Sequence, residues 1–532
     1  MKRGLVRERR AELRTLAALV VWLLVFGFMS SPLAGAPAAG ASAAGTWEAV
    51  TLPQTGLYLG GAGGGPEDNV FLNGILCPAE TFCVTTGDYE SDSQTLGSTQ
   101  AMIETLSGAK WVPTMAPMAG LDPPASTFLG PFNDGFSGLS CPAPGSCVAV
   151  GSYVSFTSHI VPGQYTPSDG KFEGLIETLK GGTWTASTAP TSGLRLAAGN
   201  PWVDFGGQAC PLGGRYTCAW GALSCPAVGW CVAVGSYNDA SHQTEGLIET
   251  LSGGIWRGSE APIDGLDAEP AANPHIDLEG VSCPAPGLCY SVGGYMDRSG
   301  RTDSLVETLS GGEWRPSSPT TASLFPAEGT GGAALRNVSC AARGHCVALG
   351  AYGASSGAGL GFAEVLSAGT WKASTVPTPV SPSVVEQPDY FMQFDSLSND
   401  LSCPTISFCA TIGSYLLPTD KSGARHPVVD ILSGGTWTAT NGPYADGIAC
   451  SAPGACIADG PLRADVPNTF AKLSGSNWTT QAVPTRALVP PAAPNPHIVL
   501  EHLTCRPSGP CAIEGWYRSV SGGTYLFVAT QH

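Results

Sequence analysis

The chain has 532 residues, of which 13% are charged, with 70 glycines, 44 prolines and a formal charge of −17. Acidity on this scale repels nucleic acid and anionic lipid headgroups, which excludes proteins that work by binding either. The glycine and proline content excludes a largely helical chain and points to many short strands joined by tight turns.

In chain order the first element is a leader. Lys2, Arg3, Arg7, Arg9, Arg10 and Arg14 form a basic head, Leu16 to Met29 is an apolar run, and Ala-x-Ala sites follow at Ala34/Ala36 and Ala41/Ala43. That order reads as a secretory signal peptide, and the apolar run is short for a membrane span. Residues 1–43 are therefore expected to be a signal peptide with an alanine-rich linker, and 44–532 a single domain. The product is expected to be secreted or associated with the cell wall. The alternative is a signal-anchored protein at the outer face of the membrane. Removing residues 1–36 takes away six basic and two acidic groups, which leaves 19 against 40.

Eight pairs of cysteines then enclose five residues each. They are Cys77 and Cys83, Cys141 and Cys147, Cys225 and Cys231, Cys283 and Cys289, Cys340 and Cys346, Cys403 and Cys409, Cys450 and Cys456, and Cys505 and Cys511. Cys210 and Cys218 make a ninth pair, so none of the 18 cysteines is left over. No histidine recurs with the pairs and the spacing is not that of zinc sites, so disulfides are expected. Each short loop so closed stabilises by roughly 2–2.5 kcal/mol in the chain-entropy model.

One copy of the repeat shows four strand-like runs. The first ends at Cys141, and the Pro-Ala-Pro-Gly turn leads to Val148–Tyr153. The third is Leu175–Leu179, and Gly181-Gly182 turns the chain into a fourth around Trp184. Four strands in about sixty residues is the size of a β-propeller blade. The last copy finishes at 525–529 without its tryptophan strand. The chain supplies that piece near its start, where Thr46-Trp-Glu-Ala-Val-Thr-Leu-Pro53 matches Thr183-Trp-Thr-Ala-Ser-Thr-Ala-Pro190. The expected fold is all-β: an eight-bladed propeller of four-stranded blades, closed by an N-terminal strand that completes the last blade and removes sheet edges. Seven blades with an appendage, or a capped β-solenoid, are the alternatives.

The Ser-Gly-Gly-Thr-Trp turns, as at 433–437 and with isoleucine for threonine at 252–256, resemble the Asp-box (BNR) hairpins of sialidase-like propellers, with the aspartate missing. The Leu-Ser-Cys-Pro through Cys-Val-Ala-Val-Gly repeat resembles a cysteine-clasped repeat of secreted actinobacterial proteins. Both resemblances imply the fold and say little of function.

Residues that recur once per blade serve the repeat. Glu104, Glu177, Glu249, Glu307, Glu364 and Asp430 hold one place in the third strand, and are expected to be half-buried acceptors of backbone or tyrosine hydrogen bonds. The tryptophans at 47, 111, 184, 256, 314, 371, 437 and 478 read as wedges between sheets. Tyr153, Tyr237, Tyr295, Tyr352 and Tyr415 read as scaffold.

Function is expected where blades differ. Turns joining strands 1–2 and 3–4 are short and uniform and share one face; links 2–3 and 4–1 vary and share the other. Three unusual stretches are assigned to that variable face. One holds Trp202, Asp204, Phe205, Tyr216 and Trp220 around Cys210 and Cys218. A second carries His159 and Tyr165. A third carries Asp389, Tyr390 and Asp395. Segments 273–279 and 495–501 echo each other before their first strands.

No zinc spacing, phosphate-binding loop or nucleophile elbow is present, so no metal or cofactor is expected. The reading that follows is an exported binding or scaffold protein that recognises a glycan, a wall polymer or another protein. The alternative is a carbohydrate-active hydrolase of sialidase-like propeller type, using non-repeated acids such as Asp204, Asp277, Asp395, Asp400 and Glu501. A purely structural envelope component is a third reading.

Overall fold

The computed structural model describes residues 46–54, 70–91, 98–122, 135–156, 170–196, 202–206, 222–268, 274–324, 327–380, 391–393, 401–417, 419, 424–460 and 468–532. The expected signal peptide lies outside them. The described residues form eight antiparallel blades and contain no helix. Blade 1 spans residues 70–115, blade 2 136–188, blade 3 203–260, blade 4 277–317, blade 5 328–375, blade 6 391–441 and blade 7 448–482. Blade 8 combines 499–531 with 47–51. The first strand of each blade packs on the first strands of its two neighbours, and blade 8 packs on blade 1, so the ring is closed.

Closure works as the sequence predicts. Trp47–Thr51 pairs antiparallel with the last strand, from Trp47 opposite Gln531 to Thr51 opposite Phe527. Leu52 N donates to Leu526 O at 2.9 Å and His532 N to Thr46 O at 2.9 Å. The tyrosines explain why the match is so close in kind. Tyr153 bonds Thr188 at 2.7 Å, Tyr352 bonds Thr375 at 3.3 Å, and Tyr517 bonds Thr51 at 3.0 Å. Each pair ties strand 2 to the residue four beyond the outer tryptophan, and the closing strand makes the same bond.

Three repeated motifs now have physical roles. In Leu-Ser-Cys, or Val-Ser-Cys in blade 4, the serine reaches the next blade: Cys225 N donates to Ser140 Oγ at 3.0 Å, Cys283 N to Ser224 Oγ at 3.0 Å, and Cys340 N to Ser282 Oγ at 3.1 Å. In Val-Gly the glycine of strand 2 lies beneath a β-bulge in strand 1. A Cβ on Gly235 would sit 2.0 Å from Asp204 O, and one on Gly293 would sit 1.9 Å from Asp277 O, so no side chain fits. In Gly-Gly-x-Trp both turn residues adopt positive φ, 61° and 82° at Gly181-Gly182, the two-residue hairpin geometry that glycine favours.

The eight five-residue pairs are all disulfides. Cys77 is bonded to Cys83, Cys141 to Cys147, Cys225 to Cys231 and Cys283 to Cys289. Cys340 is bonded to Cys346, Cys403 to Cys409, Cys450 to Cys456 and Cys505 to Cys511. Their Cα separations are 3.9 to 4.1 Å, because each bond spans the two strands of a 1–2 hairpin and clamps it. Cys83, Cys147, Cys231, Cys289, Cys346, Cys409, Cys456 and Cys511, the second members, all lie in strand 2 and are buried, so burial shields the bonds on that side. Cys210 and Cys218, the expected ninth pair, lie outside the described residues. The tryptophans act as wedges: Trp184 Nε1 donates to Thr105 Oγ1 of blade 1 at 3.2 Å, and Trp371 stands edge-on to Tyr290 of blade 4.

One expectation needs correction. The third-strand carboxyls are not half-buried acceptors. Glu104, Glu177, Glu249, Glu307, Glu364 and Asp430 have no exposed surface, and among the described residues their oxygens have no hydrogen-bond partner. The Tyr153, Tyr237 and Tyr352 hydroxyls, candidate donors, bond outer-strand residues instead. Burial pushes the glutamates up to about 8 or 9, so they hold their protons at neutral pH, and it raises Asp430 well above its ordinary value.

Candidate functional site: the variable face and the channel wall

The two faces differ as the repeat predicts. On one, the 1–2 and 3–4 connections are short hairpin turns with glycine at positive φ, for example Gly145, Gly229 and Gly287 in the first set. On the other, links 2–3 and 4–1 take several forms. In blades 3 and 4 the 2–3 link is a tight turn held by an aspartate. Asp239 Oδ1 accepts from the Ser241 and Gln243 amides, and Asp297 Oδ1 accepts from those of Ser299 and Arg301. Blades 5 and 8 have equally short links, residues 355–358 and 519–523, whereas those of blades 1, 2, 6 and 7 are longer and lie wholly or partly outside the described residues.

The first unusual stretch is anchored differently from expectation. Val203–Phe205 is no inter-blade loop. It pairs with strand 2 of blade 3 as the leading half of that blade's innermost strand, and Leu223–Ala227 is the trailing half. Gly206 N donates to Val234 O at 3.2 Å and Val234 N to Ala222 O at 2.9 Å, so the strand resumes where it left off. Blade 4 carries a single bulged residue at this point, Glu279 between Leu278 and Gly280. Blade 6 repeats the blade 3 device, with Phe391–Gln393 and Leu401–Thr405 sharing one strand position. Both insertions therefore spring from the bulge of an innermost strand. A bulge already holds one unpaired residue, so added chain leaves the ladder on either side intact. Spacing alone could not show this, because it depends on cross-strand register.

Of the residues expected to make contact, Trp202 is half-buried, joined by one bridge to Phe172. Asp204 is half-buried on the innermost strand. Phe205 is fully buried in the core between blades 2 and 3, and its role is packing. His159, Tyr165, Tyr216, Trp220, Asp389, Tyr390 and Asp395 lie outside the described residues. The two echoing segments are latches. Ile276 N donates to Thr244 O at 3.0 Å, and Ile498 N to Asn468 Oδ1 at 2.7 Å.

The register brings acids together that sequence reasoning left scattered. Asp204 and Asp277 occupy the same position in adjacent innermost strands, opposite Ser236 and Gly294. Burial, and then the charge of Asp277, push Asp204 up to about 7. At the seam of blades 8 and 1, the bulged Glu501 reaches across so that its Oε2 accepts from Leu72 N at 2.9 Å. Burial raises it to about 8, and the Asp88 charge adds to this. Glu514 accepts from Thr85 Oγ1, and its Oε1 lies 3.6 Å from His502 Nδ1. Burial lowers His502 to about 3, so it is neutral at pH 7, and raises Glu514 well above its ordinary value. Among the described residues, no group of three or more histidines, cysteines and acids is arranged to hold a metal ion.

No family model matches the sequence, and no curated protein matches it. Solved structures similar to it include a protein of unknown function from Dyadobacter fermentans, at 12% identity and TM-score 0.33, covering 73% of this chain and 98% of that one. The Trypanosoma rangeli sialidase in complex with sialic acid is similar at 9% identity and TM-score 0.30, over 87% of this chain and 54% of that one. The fucose-specific lectin from Aleuria aurantia is similar at 8% identity and TM-score 0.26, over 75% and 95%. Likeness at this level carries no functional argument.

Proposed function

We propose that this protein is an exported binding or scaffold protein that recognises a glycan, a wall polymer or another protein through the face carrying links 2–3 and 4–1. The supporting observation is the asymmetry of the disc: one face carries short hairpin turns throughout, while on the other the 2–3 links range from four residues in blade 5 to thirteen in blade 2. Rigid frames that vary in one set of loops concentrate recognition there. Export is supported by the N-terminal pattern of basic head, apolar run and Ala-x-Ala sites. Eight disulfides among the described residues fit an oxidising compartment. No described helix is long and apolar enough to cross a membrane. The contact residues proposed are Trp202 and Asp204, with His159, Tyr165, Tyr216, Trp220, Asp389, Tyr390 and Asp395.

The test removes residues 207–221 and joins Gly206 to Ala222, which recreates the one-residue bulge of blade 4. Full-length and shortened chains are screened against glycans, wall polymers and extracellular proteins. The shortened chain should fold with unchanged stability and lose its partner at least about tenfold. Full affinity in the shortened chain would exclude this insertion as the contact.

A hydrolase reading has one observation in its favour, the Asp204/Asp277 pair. Asp204, raised to about 7 by burial and the Asp277 charge, holds its proton near neutral pH as the acid of glycoside cleavage must. Sugar release from a glycoside panel that Asp204→Asn abolishes would establish it. A panel with no release would leave recognition as the function.

A further inference from the structure

The uniform face carries a charge opposite to that of the chain as a whole. On its 3–4 hairpins Lys110 and Lys180 sit in the turns, Arg257, Arg315 and Lys372 follow the tryptophan, and Lys472 precedes the turn of blade 7. Arg343 and Arg506 lie on 1–2 hairpins. The acidic side chains on these hairpin ends are Glu48, Glu80 and Glu313. Two of them are neutralised by neighbours: Glu313 Oε2 accepts from Arg315 at 2.9 Å, and Glu80 Oε1 from Arg506 at 3.2 Å. Lys110, Lys180, Arg257, Arg343, Lys372 and Lys472 have no carboxylate partner among the described residues. This face is therefore cationic, although residues 37–532 hold 19 basic against 40 acidic groups.

The hairpin ends form two rings. Strands 1 and 2 are the inner pair of each blade, so the cysteine loops make the inner ring and the 3–4 turns the outer. The middle residue of the cysteine loop is apolar and exposed in five blades: Pro144, Val228, Pro286, Ile406 and Pro453. Val228 and Ile406 are 64% and 61% exposed, and Ile255 on the 3–4 turn of blade 3 is 55% exposed. Disulfide-clamped turns hold the inner tips out from the disc. An apolar centre inside a cationic rim matches a partner that is anionic at its surface and apolar just beneath.

We propose that the uniform face docks the disc on an anionic lipid bilayer, with the apolar tips entering the headgroup layer and the lysines and arginines lying against the phosphates. Repetition favours lipid over a protein partner, because eight similar hairpin pairs suit a surface without individual features. The apolar tips favour lipid over a soluble polyanion, which offers them nothing to enter. Net charge sets the whole chain against anionic headgroups, but the acids elsewhere do not cancel the local attraction. Strand 2 of blade 3, nine residues long, holds the opposite face roughly 25 Å away. Charges beyond about 8 Å are largely screened at physiological salt. Docking in this way turns the individual face outward, so it is compatible with the recognition role and does not depend on it.

The test sediments the full chain with vesicles of mixed phosphatidylglycerol and phosphatidylcholine, and with vesicles of phosphatidylcholine alone. Every arm keeps residues 1–45, so the leader contributes alike. Wild type should bind the mixed vesicles at least about tenfold more tightly than the neutral ones. Lys110→Gln/Lys180→Gln/Lys372→Gln should weaken that binding at least about tenfold, and Val228→Ser/Ile406→Ser at least about threefold. These positions are exposed, so both variants should keep the wild-type Tm. Arg298→Gln, on the opposite face, should bind as wild type. Hydrogen exchange at residues 226–230 and 404–408 should slow on the mixed vesicles. Equal binding to the two kinds of vesicle, wild-type binding by the triple variant, or unchanged exchange at both turns would overturn the proposal. So would binding to dissolved poly(glycerol phosphate) that matches vesicle binding and ignores the tip variant, because the partner would then be a soluble polymer.

Discussion

Replacing Glu249 with glutamine tests the meaning of the six buried carboxyls. Glu249 is fully buried, has no hydrogen-bond partner among the described residues, and titrates at about 9 when folded. In an unfolded chain a glutamate titrates near ~4.3. A carboxyl raised in this way contributes stability that is fully present below the unfolded value and is lost as pH rises through the folded one. The window therefore runs from about pH 4.3 to about pH 9. Between pH 5 and 8 one such group removes up to ~4 kcal/mol, at 1.36 kcal/mol per pH unit. This is an upper bound, because six such losses would exceed the whole stability of an ordinary domain. Glutamine resembles the neutral acid and does not titrate. Urea unfolding of wild type and Glu249→Gln across pH 5 to 9 should show wild-type stability falling as pH rises. The variant should fall less steeply and become the more stable of the two by pH 9. A variant destabilised equally at both ends, or a wild type that gains stability from pH 5 to 8, would refute the neutral-acid reading.

Two further substitutions address the frame. Gly235→Ala places a methyl group where Asp204 O already stands 2.0 Å away, and should cost about 3 kcal/mol or more in chemical denaturation. Ser224→Ala strands the Cys283 amide in the next blade and should cost about 1–3 kcal/mol, read as a lower urea midpoint with an unchanged slope.

Blade number, ring closure, the tryptophan wedges and the tyrosine scaffold were legible because each is carried by residues that recur at fixed spacing. The closing strand was legible for the same reason: Thr46 to Pro53 copies a pattern that the last blade lacks. Register was not legible. Whether Phe205 ends a loop or forms half of an innermost strand depends on its partner, Gly235, and on a bulge that only pairing reveals. Burial of the third-strand glutamates also escaped the pattern. Alternation showed that Glu177 shares a face with leucines, but not that the adjoining blade seals that face.

The closed ring, with one uniform and one individual face, is tested most directly by hydrogen exchange at the closing strand. Amides of residues 47–52 should be protected as strongly as those of Thr183–Thr188, the equivalent strand of blade 2. Exchange of residues 47–52 at the rate of an unstructured peptide, with blade 2 protected, would contradict the closure and the two-faced disc built on it.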